Sequence, residues 1–342
     1  MSGKPLRLAT AGTGFFSQFH YAAWARLPVE LVGCCSLDEV AAGETASRFS
    51  SCDAFTDFEM MLDETSLDLV DIITPPETHF KFVSAAAARG IPAICQKPFC
   101  ASLDEAETLV KLVEDADGLC VVHENFRFQP WYGALKNLLV SGAIDELYQV
   151  TFRLRPGDGQ GPNAYLERQP YFQNMPRFLV HETAIHWVDV FRFLLGEVTS
   201  VTARLTQLNP AISGEDAGLI IFDFEGGKRG LFDGNRLSDH SAHNRRLTMG
   251  EMQIDGSGGT LNLTGDGEIF HRQFGRNESV QHKYDWSNEG FGGDCVFRLQ
   301  AHVVDHLLNG STLQNKAADY LTNLRVEDAI YRSSQEKRTI AL

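Results

Sequence analysis

The order of elements over residues 6–123 constrains this chain most. Short apolar strands alternate there with helical segments, and strand–helix–strand repetition with short connections predicts a parallel sheet covered by helices. Strands are expected at 6–11, 29–35, 67–73, 91–95 and 119–123. Helices are expected at 15–27, where Pro28 stops the pattern, at 39–49, and at 80–89, where Gly90 is placed as a left-handed cap. The run Ser102-Leu103-Asp104-Glu105 is a capping box that opens a further helix ending near Gly118.

After residue 125 the pattern changes. Helices are expected near 131–141 and 178–195, with strand-like stretches at 149–154, 198–208, 217–224, 228–234, 248–255 and 259–263. Glu225-Gly226-Gly227 and Asp255-Gly256-Ser257-Gly258-Gly259 read as hairpin turns, which favour a large open and mainly antiparallel sheet. Residues 295–335 read as helical. A chain of 342 residues has room for two domains, and the break in pattern divides it into 1–124 and 125–342. The fold class is therefore α/β, with a doubly wound parallel sheet followed by an α+β domain.

Composition excludes several classes of function. The net charge of −15 argues against nucleic acid as a partner. No apolar run reaches the roughly 20 residues of a membrane span. The first residues lead straight into a strand, so no signal peptide is expected. Seven cysteines, without a Cys-x-x-Cys pair, read as reduced thiols of a cytoplasmic protein.

Gly12-Thr13-Gly14-Phe15-Phe16-Ser17 has the form of a glycine turn between a first strand and a helix. Glycine permits the tight turn and lets the backbone approach a pyrophosphate, whose charge a helix N-terminus favours. Gly12, Gly14, Phe15 and Phe16 are thus candidates for a dinucleotide site. Ser36 stands where an acidic residue commonly marks NAD. Its hydroxyl would not repel a 2′-phosphate, yet no arginine follows it directly, and Asp38 could still reach a ribose. The cofactor is therefore NAD or NADP.

Lys97 follows an apolar strand and precedes Pro98, so it falls at the carboxyl end of a sheet strand, where ligands of such folds bind. Glu182 and His186 are four apart, which sets both on one face of an α-helix, with Asp189 placed to orient the imidazole. His181 is five residues from His186, on a poorly aligned face. The pattern is not H-E-x-x-H, and no metal is expected. A lysine and a histidine with a carboxylate beside it suit hydride transfer at an alcohol carbon: histidine moves the hydroxyl proton and the ammonium stabilises the developing charge. Catalytic roles fall to Lys97, Glu182 and His186. Arg153, Arg155, Arg168 and Arg177 are placed to pair with a carboxylate on a substrate, or to serve as surface residues.

Together these residues resemble the glucose–fructose oxidoreductase/inositol dehydrogenase (Gfo/Idh/MocA) family. The likeness runs from Gly12-Thr13-Gly14 through Ile73-Thr74-Pro75-Pro76-Glu77-Thr78-His79, Gln96-Lys97-Pro98 and Glu124-Asn125-Phe126-Arg127-Phe128 to His186-Trp187-Val188-Asp189. It ends in the tail around Asp319-Tyr320-Leu321 and Asp328-Ala329-Ile330-Tyr331. Gln96 replaces the family's glutamate, Glu182 stands where many members carry aspartate, and Ala184 replaces a common glycine. The resemblance implies an N-terminal Rossmann domain. It also implies that Thr74, Pro75, His79, Gln96, Lys97 and Asn125 line the nicotinamide side. Lys97, Arg127, Arg177, His181, Glu182 and His186 would then meet a sugar or polyol. A homo-oligomer, dimer or tetramer, through the C-terminal sheet is expected as well. The competing readings are a non-catalytic dinucleotide-binding sensor and a reductase of a dihydrodiol, imine or acidic sugar.

Overall fold

The computed structural model describes residues 4–48 and 52–342. The chain forms two compact units: Met1–Asn125 with Val296–Thr322, and Phe126–Cys295 with Asn323–Leu342.

The first unit is built on β1 (Leu6–Ala11), α1 (Ser17–Trp24), β2 (Val29–Cys35), α2 (Glu39–Arg48), β3 (Asp53–Phe55), α3 (Phe58–Glu64), β4 (Leu69–Ile72), α4 (His79–Ala88), β5 (Ala93–Gln96), α5 (Leu103–Asp115) and β6 (Cys120–His123). Its six strands are all parallel, in the order β3-β2-β1-β4-β5-β6. β1 pairs with β2 on one side and β4 on the other. The chain order reverses there, and crevices form beyond the carboxyl ends of strands at such a reversal. The end of the expected helix 39–49, at Phe49, lies outside the described residues. β3 and α3 were not anticipated. A three-residue strand with two exposed positions carries little periodicity, and the signal for α3 is Asp57, whose side chain accepts from the Met60 N–H at 2.9 Å. The capping box holds, with its return bond shifted by one residue. Ser102 Oγ accepts from the Glu105 N–H at 3.2 Å, and Glu105 accepts from the Ala101 N–H at 2.8 Å.

The second unit carries α6 (Pro130–Val140), β7 (Leu147–Leu154), α7 (Ile185–Leu195), β8 (Val198–Thr206), β9 (Ala217–Phe224), β10 (Arg229–Asn235), β11 (Gly250–Gly256), β12 (Gly259–Leu263), β13 (Ile269–Gln273) and β14 (Val280–His282). Helices α8 (Cys295–Asn309) and α9 (Ala317–Glu336) follow in the chain, and β15 (Ile340–Ala341) is the last element. The nine strands lie in the order β14-β13-β12-β11-β7-β10-β9-β8-β15. Every pairing is antiparallel except β7 with β10. Both expected hairpins are present: Gly226 and Gly227 take positive φ between β9 and β10, and Gly256 pairs with Gly259 across Ser257-Gly258. β13 to β15 escaped the sequence reading because they are short and largely solvent-facing. Trp187 on α7 stacks on Phe152 of β7, with centroids 4.2 Å apart, and sits 5.7 Å from Phe232 of β10. That contact seats α7 on the sheet and fixes the neighbouring position, His186.

Gly12 shows why the first turn needs glycine. Its φ is +118°, and a Cβ there would sit 2.8 Å from the carbonyl carbon and oxygen of Ile73. Gly90 also has positive φ, +66°, but open space around it. Gly90→Ala should therefore lower stability by about 1 kcal/mol. Gly12→Ala adds a clash with backbone that cannot swing away, and should cost more than about 3 kcal/mol. Thermal midpoints of the two variants, compared with the parent, check the order.

Candidate active site

Five strand ends of the first unit carry the expected cofactor residues. At the end of β1, the Gly12 N–H donates to the Cys35 carbonyl at 2.9 Å, and the Tyr21 hydroxyl donates to the Gly12 carbonyl at 3.2 Å. The turn is thus fastened to β2 and α1. Ser17 closes it by donating from its hydroxyl to the Gly14 carbonyl at 2.7 Å. A Cβ on Gly14 would meet nothing within 4 Å, so open space lies beside the turn, and Phe15 is mostly exposed. Space at the turn, with α1 starting behind it, fits a dinucleotide pyrophosphate.

At the end of β2, the Ser36 and Thr13 hydroxyls are 3.0 Å apart. Asp38 turns toward α2 instead of a ribose. Its Oδ1 accepts from the Val40 and Ala41 N–H groups at 2.9 and 3.1 Å and so caps that helix. Arg48, at the last turn of α2, lines the cleft beside Thr13, Gly14, Ser17 and Gln18. No arginine follows Ser36 directly in the sequence. The helix brings one in from twelve residues away.

At the end of β4, the Thr78 hydroxyl donates to Thr74 Oγ1 at 2.6 Å. His79 is fully buried. Its ring spans the Thr74 carbonyl at 2.8 Å and the Phe99 carbonyl at 3.1 Å, and burial pushes its pKa down. It ties the loop after β4 to the loop after β5. Pro75 is exposed and begins the short 3₁₀ turn Pro76–Thr78. β5 ends at Gln96, and Lys97 follows half-buried, its N–H donating to Gln96 Oε1 at 2.8 Å. The Lys97–Pro98 peptide is cis. Asn125, just beyond β6, is buried.

In the second unit, the turn before α7 differs from the expected α-helix. Leu179–Ala184 is a π-helix, with bonds from residue i to i+5. A π-turn holds between about four and five residues, so Glu182 and His186 keep a similar direction while His181 and His186, five apart, come closer to alignment than in an α-helix. His186 is buried, and the Phe126 ring stacks on it at 3.8 Å with planes 4° apart. Asp189 does not orient this imidazole. Its carboxylate receives Arg127 Nε and Nη2 at 2.7 and 2.6 Å and Asn323 Nδ2 at 2.8 Å. Arg127, expected at the substrate, commits its fork to that pair. His181 Nδ1 lies 2.7 Å from Glu327 Oε1. Arg177 is exposed and lies over the Tyr331 ring at 4.4 Å. Burial of the phenol end, and then the charge of the Glu182 carboxylate, push the Tyr171 hydroxyl up to about 12.

Residues that the sequence did not flag hold this segment. Glu215 Oε1 accepts from the N–H groups of Phe178 and Val180 at 3.2 and 3.1 Å and from the Tyr331 hydroxyl at 2.7 Å. Arg236, wholly buried, donates to Thr183 Oγ1 at 2.5 Å and pairs with Asp158 at 2.8 Å. No local motif announces these partners, because each lies 30 or more residues away in the chain. Among the four candidate arginines, Arg153 and Arg155 both pair with Asp233, Arg155 at 2.6 Å, and Arg168 lies 3.4 Å from Asp158.

Residues 6–124 match the model of the oxidoreductase family with an NAD-binding Rossmann fold, and residues 132–262 match the GFO/IDH/MocA C-terminal domain. The chain belongs to the Gfo/Idh/MocA family and is an NAD(P)-dependent oxidoreductase. It is 33% identical to D-apiose dehydrogenase of Paraburkholderia graminis, covering 99% of this chain and 90% of that one. It is 30% identical to D-apiose dehydrogenase of Rhizobium rhizogenes, over 99% and 98%. An oxidoreductase from Agrobacterium radiobacter, solved in complex with NAD+, L-tartaric acid and magnesium, superposes with a TM-score of 0.88 at 29% identity, covering 98% of both chains. Among the described residues, no helix is long and apolar enough to cross a membrane.

Two outcomes follow from these contacts. Asp158→Ala strands the buried Arg236 guanidinium and should cost about 3–5 kcal/mol, read as a lowered thermal midpoint. Ser36→Asp puts a carboxylate at the end of β2 beside Thr13, where it would repel the 2′-phosphate of a dinucleotide seated at the glycine turn. Selectivity for NAD over NADP, measured as the ratio of kcat/KM, should rise about tenfold or more, equivalent to about 1.4 kcal/mol of repulsion.

Proposed function

We propose that this enzyme oxidises a ring or chain hydroxyl of a neutral sugar or polyol, with D-apiose the first candidate. The observation that supports this reading is the match along almost the whole chain to two D-apiose dehydrogenases. The Gly12–Ser17 turn would hold the pyrophosphate of the dinucleotide and Thr13 and Ser36 its ribose, and the nicotinamide, when bound, would supply the hydride acceptor. His186 takes the hydroxyl proton, its ring orientation held by the Phe126 stack. The Lys97 ammonium hydrogen-bonds the same substrate oxygen and stabilises its growing negative charge. Glu182 and His181 bind the remaining hydroxyls, and Arg177 and Arg127 bound that region. Thr74, Pro75, Gln96 and Asn125 face the nicotinamide side, with His79 supporting them from beneath.

Residues 1–124, joined in the first compact unit by Val296–Thr322, act as the dinucleotide domain, and the remainder of 125–342 as the substrate and assembly domain. The enzyme assembles as a dimer or tetramer through the nine-stranded sheet, a reading supported by exposed Leu219 and Ile221 on one face of β9. Seven free cysteines support a reducing, cytoplasmic location.

A second reading, an acidic sugar, draws on one cluster. Arg168 and Arg236 share the single carboxylate of Asp158, and burial and then Arg168 depress the pKa of Arg246. A guanidinium held beside others favours a carboxylate ligand.

Nicotinamide absorbance, followed with D-apiose, myo-inositol, levoglucosan and a set of uronates, separates the two. Turnover should be fastest with D-apiose, whereas uronates alone reacting would replace the first reading with the second. Lys97→Met should lower kcat by about 10²–10³-fold while dinucleotide affinity is retained. Unchanged turnover would remove Lys97 from the chemistry.

A further inference from the structure

A buried polar chain lies beneath Lys97, wholly inside the first unit. The Lys97 N–H donates to Gln96 Oε1 at 2.8 Å. A backbone N–H can only donate, so the side-chain amide of Gln96 has one orientation, with Nε2 pointing away from Lys97. That Nε2 lies 3.0 Å from His20 Nε2. An amide nitrogen also only donates, so His20 Nε2 must accept. The ring proton then sits on Nδ1, which donates to Asp71 Oδ2 at 2.7 Å. Trp24 Nε1, again a pure donor, reaches the same oxygen at 2.7 Å. Both ends of the chain are therefore set by groups whose polarity cannot reverse, and one arrangement serves all four of its hydrogen bonds.

The surroundings keep it so. His20 and Asp71 are wholly buried. The His123 ring lies against His20, with centroids 4.2 Å apart and planes tilted 32°. Neither nitrogen of His123 has a hydrogen-bond partner among the described residues, and burial and then His20 hold its pKa well below the usual histidine range. His123 thus packs as a neutral plate and offers His20 no competing bond.

We propose that His20 is a positioning residue for Lys97: through Gln96 it ties the lysine backbone to Asp71 on the central strand β4 and to Trp24 at the end of α1. The lysine is then fixed from the sheet interior and not only by its own loop. The chain also accounts for glutamine at position 96. A carboxylate there would set an acceptor against the His20 Nε2 lone pair, and the chain would close only with a second proton on the ring. This inference rests on the catalytic reading of Lys97.

Two substitutions of His20 separate its two bonds. In His20→Asn the amide nitrogen takes the place of Nδ1 and keeps Asp71, but nothing reaches Gln96. In His20→Gln the amide oxygen takes the place of Nε2 and can accept from Gln96. His20→Asn should lower kcat by about 10–100-fold with KM for NAD within about twofold, as losses of supporting hydrogen bonds do. His20→Gln should recover a large part of that kcat. Equal kcat in the two variants, or a loss confined to KM for NAD, overturns the proposal. Nitrogen-15 NMR of the unmodified enzyme gives an independent reading, since His20 should show the Nδ1–H tautomer, and the Nε2–H tautomer overturns the chain even if both variants fail to fold. Lys97→Met at full turnover overturns this inference together with the role of Lys97. An inactive Lys97→Met beside equal His20 variants overturns this inference alone.

Discussion

The parallel ladder on both sides of β1 is the constraint that the dinucleotide half of this enzyme depends on. Because β2, β1, β4, β5 and β6 run in one direction, their carboxyl ends share one edge of the sheet. Ser36, Gly12, Thr74, Lys97 and Asn125 stand just past those ends, although 113 positions separate Gly12 from Asn125. The chain order reverses beside β1, so helices leave to opposite faces and space opens at the turn. Gly12 makes this closeness possible, since its missing side chain is what lets β1 and the loop after β4 approach.

Buried polar groups then determine how firmly each side chain is held. Every buried donor or acceptor needs a partner, and leaving one unmet costs about 1–3 kcal/mol. In the first unit, Asp71 draws Trp24 and His20 to itself and passes order outward to Gln96. In the second, Glu215, Glu327 and Arg236 do the same for the π-turn that precedes His186. The two units use one device. Charged groups inside the protein hold backbone in place, and the candidate reacting side chains sit on that backbone.

Some of the site was legible because its signal is local. The glycine turn, the lysine after a strand and the histidine helix all depend on neighbours within a few residues. The π-turn was not legible, because an extra residue in one helical turn leaves the apolar spacing nearly intact while moving every side chain before it. Asp189 was misjudged for a related reason. Its spacing from His186 fits a supporting role, but Arg127 and Asn323, far away in sequence, claim both oxygens first. Arg48 was overlooked because helix length, and not adjacency to Ser36, brings it to the cleft.

The amino-acid order alone determined the alternation of elements, the glycine turn, the antiparallel hairpins and the residue types for moving a proton and stabilising an alkoxide. These are short-range properties, set by backbone sterics and side-chain periodicity. Tertiary packing alone decided which carboxylate pairs with which cation, which residue the Gln96 amide nitrogen reaches and where the helix before His186 widens. Those outcomes depend on satisfying buried polar groups across roughly 30 to 150 residues of chain, and no local pattern records which partner arrives.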